Sequence, residues 1–336
     1  MSVLQRIFRS AERHEAARQA AQLDPLIARI VHATDKRLAC VKGYRERLRG
    51  PVAAARSALE HAIAEIPGPT EVGAAAWSHD TTVRALFAGA GDAPAAFSAD
   101  PAIRAFFETD AATPACFAML ALAPEHRRVI ANAMQGDMVQ ADVARATVSF
   151  TQPRILAPCG DEGGVRDELV ARALEYLALL ALQRVGAMRA ERHTLQQERA
   201  LLAAELKLAR SRGTGLAALV SGGDTQAPVR DASVVERDLE RTIEELQLAA
   251  SRELLPCLLD EMAEAFQRHG ERIGFEPCEL TLDSMNFEVA PSPRAVTPAV
   301  AMLRLARRGV FAVLVARFPR SELRAPASLA GAERYL

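Results

Sequence analysis

The chain reads as a mainly α protein of the α+β class, with helices dominating and one small antiparallel sheet. Three observations predict this. A heptad-spaced run extends from Arg184 to Arg212, an acidic helical stretch from Ser233 to Gln267 follows it, and two apolar runs flank Arg308-Gly309 near the C-terminal end.

The first stretch, residues 1–22, has an amphipathic helical pattern. Val3, Leu4, Ile7, Phe8 and Ala11 fall on one face, and Arg6, Arg9 and Arg13 fall on others. That layout suits a surface-seeking or partner-docking helix. Residues 24–135 then read as a helical domain of short elements. Asp24-Pro25, Asp100-Pro101 and Thr113-Pro114 each place a capping side chain before a proline, whose missing N–H costs nothing in a first turn. Gly50-Pro51 and Ala123-Pro124 read as two more openings, while Pro67-Gly68-Pro69 and the Gly89 to Pro94 segment read as breaks.

The pattern changes after Gly136. Val139, Ala141 and Val143 alternate with polar residues, and Val148 and Phe150 alternate again, so residues 137–156 predict a β segment. A loop rich in glycine and proline follows, and a long helix is expected from near Val165. Running to Ser211, it would be roughly 70 Å long at 1.5 Å per residue. Residues 277–320 are expected to hold the C-terminal strands: Leu280, Leu282, Phe287 and Val289 in one segment, then a hairpin of Val300 to Ala306 and Val310 to Phe318 turning at Gly309. The second arm is apolar on both faces, which predicts cover on both sides. A single hairpin is marginal in water, so the 137–156 segment is expected to join this sheet. Residues 321–336 read as a tail.

Residues 165–268, with a linker at 213–232, predict an antiparallel, coiled-coil-like helical hairpin. Met188, Leu195, Leu202 and Ala209 recur every seven residues, with Val185 and Leu206 in the companion register. Arg192 and Arg199 take the remaining core positions, which disfavours a parallel self-dimer and favours an acidic partner helix. The second arm offers one: Leu239, Ile243, Leu246, Ala250 and Leu254 form its stripe until Pro256, and Ser233 with Glu236 has capping-box spacing. From Arg184 to Arg212 there are seven basic and three acidic residues, whereas Glu236 to Glu264 holds nine acidic and three basic. The interaction surface is therefore Val185, Met188, Leu195, Leu202, Leu206, Leu239, Ile243 and Leu246.

At 336 residues the chain has material for about two domains. Its 41 basic and 42 acidic residues nearly cancel, so no global field points to nucleic acid. Cys40, Cys116, Cys159, Cys257 and Cys278 are scattered singly, which reads as reduced thiols without zinc spacing. Cys159, between Pro158 and Gly160, is expected to be the most accessible. The apolar runs Ala115 to Ala123 and Tyr176 to Leu182 fall short of the ~20 residues that span a bilayer, and a cytoplasmic location is expected.

Catalytic furniture is sparse. His61 and Glu65 stand four apart without further ligands at helical spacing, as do His32 and Lys36. The glycines at 213, 215, 222 and 223 lack the strand and lysine of a phosphate loop. No catalytic, cofactor-binding or metal-binding set is assigned. The sequence favours a non-enzymatic interaction or scaffolding protein, with a protein partner or self-association through the hairpin. The alternative is a peripheral regulator touching an anionic surface, membrane before nucleic acid, through Arg6, Arg9, Arg13, Lys36, Arg37, Lys42 and Arg45.

Overall fold

The computed structural model describes residues 23–109, 112–135, 138–213, 232–250, 254–293 and 295–325, without the side chains of 131–135, 138–141, 209, 211–213 and 247–250. The fold mixes helix and sheet. In chain order it contains α1 (23–34), a 3-10 turn Lys36–Cys40, α2 (Tyr44–Ala64), β1 (Thr70–Glu71), α3 (Ala74–His79), α4 (Thr81–Leu86), α5 (Asp92–Ala99) and α6 (Pro101–Thr109). Then follow β2 (Ala115–Gln135), β3 (Met138–Cys159), α7 (Glu162–Gly213), α8 (Ala232–Ala250), α9 (Leu254–Gln267), α10 (His269–Arg272), β4 (Ile273–Pro277), β5 (Ala301–Leu305) and β6 (Gly309–Pro319). Two compact units share these elements: residues 1–52 with 175–267, and residues 53–174 with 268–336.

The sheet belongs to the second unit. Its order is β3-β2-β6-β5-β4, antiparallel throughout, with the short β1 added parallel to β6. Cys116, Ala118, Leu120 and Leu122 of β2 and Ala312, Leu314, Ala316 and Phe318 of β6 are buried at every second position. They pack with Phe97, Ile103 and Phe107 of α5 and α6, and the rings of Phe97 and Phe318 stack at 4.8 Å. The opposite face is buried too, through Met119, Ala121, Val313 and Val315. Each large side chain so buried contributes roughly 1.5–3 kcal/mol.

Local chemistry starts the short helices. Asp80 accepts from the N–H groups of Thr82 and Val83 at 2.7 and 3.1 Å, opening α4. Asp100 does the same for Ala102 and Ile103 at 2.8 and 3.2 Å, opening α6 where Asp100-Pro101 predicts it.

Several expectations are corrected here. Residues 115–135, read as part of a helical domain, form β2. The apolar run Ala115 to Leu122 lacks a helical period because it is covered on both faces, and Thr113-Pro114 and Ala123-Pro124 open no helix. Pro51 lies inside α2 instead of starting a new helix. One buried stripe, Leu48, Val52, Ala55, Leu59 and Ile63, runs through it, and that burial outweighs the missing hydrogen bond. The segment from Leu280 to Val289 forms only isolated bridges, Leu282 with Glu288 and Val296, and Phe287 with Thr147. The β5–β6 hairpin turns at Arg307 and Gly309, both with positive φ, as the sequence suggests.

β2 and β3 form the longest pairing of the sheet, yet β6 accompanies β2 only from Ala115 to Leu122. Three register shifts interrupt the β2–β3 ladder, and at each β3 carries the extra residue. Ala157, Gln152 and Asp142 sit at these shifts with φ of 55°, 51° and 57°. One left-handed residue per shift is the mark of a β-bulge, which bends the ribbon and increases its twist.

The first unit is helical. Four ion pairs link its helices in a ring: Arg29 of α1 with Glu175 of α7 at 2.6 Å, Arg184 of α7 with Glu261 of α9 at 3.1 Å, Asp260 of α9 with Arg47 of α2, and Arg49 of α2 with Asp24 of α1 at 2.9 Å. The cyclic order α1–α7–α9–α2 is that of a four-helix group. These helices bury Ile27, Ile30, Leu38, Leu48, Leu177, Val185, Leu258, Met262 and Phe266.

Candidate functional site

Two features of the helical unit are the candidate site. One is the apolar seam along α7 predicted from the heptads. Val185 is buried, Leu195 half-buried, and Leu202 and Leu206 buried at 6% and 9% exposure, whereas Met188 remains 37% exposed. Leu202 and Leu206 cluster with Val235 of α8, and Ala232 and Leu239 pack against that cluster. Arg210 adds an ion pair to Glu236 at 2.6 Å. Farther along α8, Ile243 is half-buried and Leu246 is 8% exposed. The side chains of Ala209 and Ala250 lie outside the described residues.

Val235 is a member of this cluster that the heptad count does not identify. Its signal is the helical step of four from Val235 to Leu239. Ser233 lies inside α8, Ala232–Ala250, rather than before it as a cap would. Pro256 lies within α9, two residues after Leu254.

The other feature is an open cleft of about 410 Å³ lined by Arg37, Val41, Arg189, Leu254, Leu255 and Pro256. Three elements build it: the 3-10 turn, α7 and the start of α9. Asp35 caps the turn by accepting from the Arg37 backbone N–H at 3.0 Å and holds the Arg37 guanidinium at 2.6 Å. These Arg37 contacts, with a smaller contribution from the charge of Arg189, hold the Asp35 carboxyl below its ordinary range. Leu254 is 42% exposed at the cleft.

The predicted basic segment is largely taken up in such pairs. Arg45 donates to the Tyr44 hydroxyl at 2.9 Å and lies 3.5 Å from Asp24, Arg49 binds Asp24, and Arg47 binds Asp260. Lys36 and Lys42 are exposed. Arg6, Arg9 and Arg13 lie outside the described residues. The structure therefore brings Arg37 together with Arg189, a residue that sequence spacing could not connect to it, 152 positions away.

The thiols are arranged differently from expectation. Cys40 is the exposed one, while Cys159 is half-buried and its thiol is pushed up by burial and by the neighbouring Glu168 and Asp161. That is the reverse of an activated nucleophile. Cys116 is buried and pushed up to about 12, chiefly by desolvation. His61 and Glu65 are both exposed, and among the described residues no group of three His, Cys, Asp or Glu side chains converges as metal ligands would. Among the described residues no helix is long and apolar enough to cross a membrane.

No protein-family model, curated protein or solved structure matches this chain.

Proposed function

We propose that this is a non-enzymatic interaction or scaffolding protein that presents an antiparallel, coiled-coil-like pair of helical arms to a protein partner or to a second copy of itself. The observation that carries this reading is a reversed order of contacts. Arg184 of α7 pairs with Glu261 of α9, whereas Arg210, later on α7, pairs with Glu236 of α8, earlier in the returning chain. Reversed order is what helices running side by side in opposite directions produce. Leu202 and Leu206 of α7 cluster with Val235 of α8, and Leu201, one position aside, is 67% exposed.

The test replaces Leu202 and Leu206 together by Asp in the full chain. Self-association is followed by sedimentation velocity, and partner capture by affinity purification. The expected result is loss of association and capture with the thermal unfolding of the sheet unit retained. Unchanged association would overturn the proposal, and so would loss of all cooperative unfolding, which would make the arms part of the core.

A further inference from the structure

We infer that the cleft between the Lys36–Cys40 turn, α7 and the start of α9 binds a single-chain amphiphile with a monoanionic carboxylate head, the chemistry of a medium-chain fatty acid. The two halves of the lining call for the two halves of such a ligand. Val41, Leu254, Leu255 and Pro256 supply apolar lining, and the two arginines Arg37 and Arg189 line the same cleft. Arginine suits a carboxylate because its planar fork can donate two parallel hydrogen bonds to the two oxygens.

Charge balance narrows the head group. Asp35 answers one of the two lining guanidiniums through its bidentate contact with Arg37, so among the described lining residues Arg189 carries the positive charge left for an incoming anion. A carboxylate matches that charge, whereas a phosphate dianion exceeds it. The Asp35 contacts also fix Arg37 in place, which lowers the entropy lost when a ligand is held. The volume of about 410 Å³ lies in the range of small-ligand sites, roughly 300–1,000 Å³. Four apolar side chains can cover one alkyl chain.

The experiment titrates the full-length chain calorimetrically with sodium decanoate below its aggregation concentration. Decanol, inorganic phosphate and vesicles containing phosphatidylserine form parallel arms. Saturable one-to-one binding of decanoate is expected, with decanol weaker and phosphate silent. Arg189→Gln should weaken decanoate about ten-fold or more, the loss of one charge-assisted contact, and Arg189→Lys should restore part of it. Leu254→Asp should abolish binding. Both sites are exposed, so the thermal midpoint is expected to stay unchanged. The inference is overturned by absence of saturable decanoate binding, by equal binding of decanol, by indifference to Arg189→Gln, or by capture of the vesicles without soluble decanoate.

Discussion

Arg184 of α7 and Glu261 of α9 meet at 3.1 Å, with the glutamate side chain only 8% exposed and the arginine 52% exposed. A carboxylate buried to this degree depends on its cation, and Glu261 would be left poorly solvated without it. Arg184→Ala is therefore expected to destabilise the helical unit by about 1–3 kcal/mol, less than a fully buried pair because the guanidinium is half in water. Glu261→Gln in the same background should recover much of the loss. Urea titration followed by circular dichroism checks both, and an unchanged midpoint for Arg184→Ala would show that the contact contributes nothing.

Gly68 approaches β6 so closely that a Cβ there would lie 2.4 Å from the Val315 carbonyl oxygen, and its φ of 137° is outside the range of other residues. The Pro67 carbonyl beside it accepts from the Val315 N–H at 2.8 Å. Gly68→Ala must displace this backbone contact and β1 with it, at an expected cost of about 3 kcal/mol. A fall in the thermal midpoint of the sheet unit is the readout.

Asp283 organises the turn that leans on β3. Burial alone would raise its carboxyl, but N–H groups of Phe287 and Met285 and the side chain of Arg145 outweigh that and hold it below its ordinary value of 3.8. A depressed folded value means that its stabilisation is complete above the unfolded value and is lost as pH falls through the folded one. Asp283→Asn should lower stability at neutral pH and flatten the dependence on pH below about 4. Arg145 lies 4.0 Å above the Phe287 ring as well, so the same variant should raise hydrogen exchange at Phe287 and Glu288.

Cys116 sets an alkaline limit. Its thiol ionises near 9.0 when unfolded and at about 12 in the folded state, mainly because burial penalises the thiolate. The folded form retains the proton between these values, so stability is present below 9.0 and declines as pH rises toward 12. Cys116→Ala should make that alkaline limb shallower. In the native protein at neutral pH, a thiol reagent should label Cys40 first and Cys116 only on unfolding.

Periodicity made some of the architecture legible. The long α7, the turn at Gly309 and the doubly covered β6 follow from patterns within a dozen or so residues, where spacing reports directly on which side chains share a face. The strand at residues 115–135 was hidden for the same reason that it is stable. Covered on both faces over Ala115 to Leu122, it needs no alternation, and its Ala-rich composition with Pro114 and Pro124 resembles helix punctuation. The Cys159 expectation failed because accessibility depends on what packs nearby. The candidate cleft was half visible: Arg37 stood out in a basic segment, but its companions come from α7 and α9.

The sequence by itself determined the long helix α7, the residues that carry its apolar stripe, and the opposite charges of the stretches Arg184 to Arg212 and Glu236 to Glu264, because these are local properties of side-chain type and spacing. Only the tertiary structure decided that Arg37 and Arg189 share a cleft, that Arg37, Arg45, Arg47 and Arg49 pair with Asp35, Asp24 and Asp260, and that β2 belongs to a sheet. Those outcomes depend on pairing between residues distant in the chain. Burial and charge neutralisation select among such pairings, and no single segment holds that information.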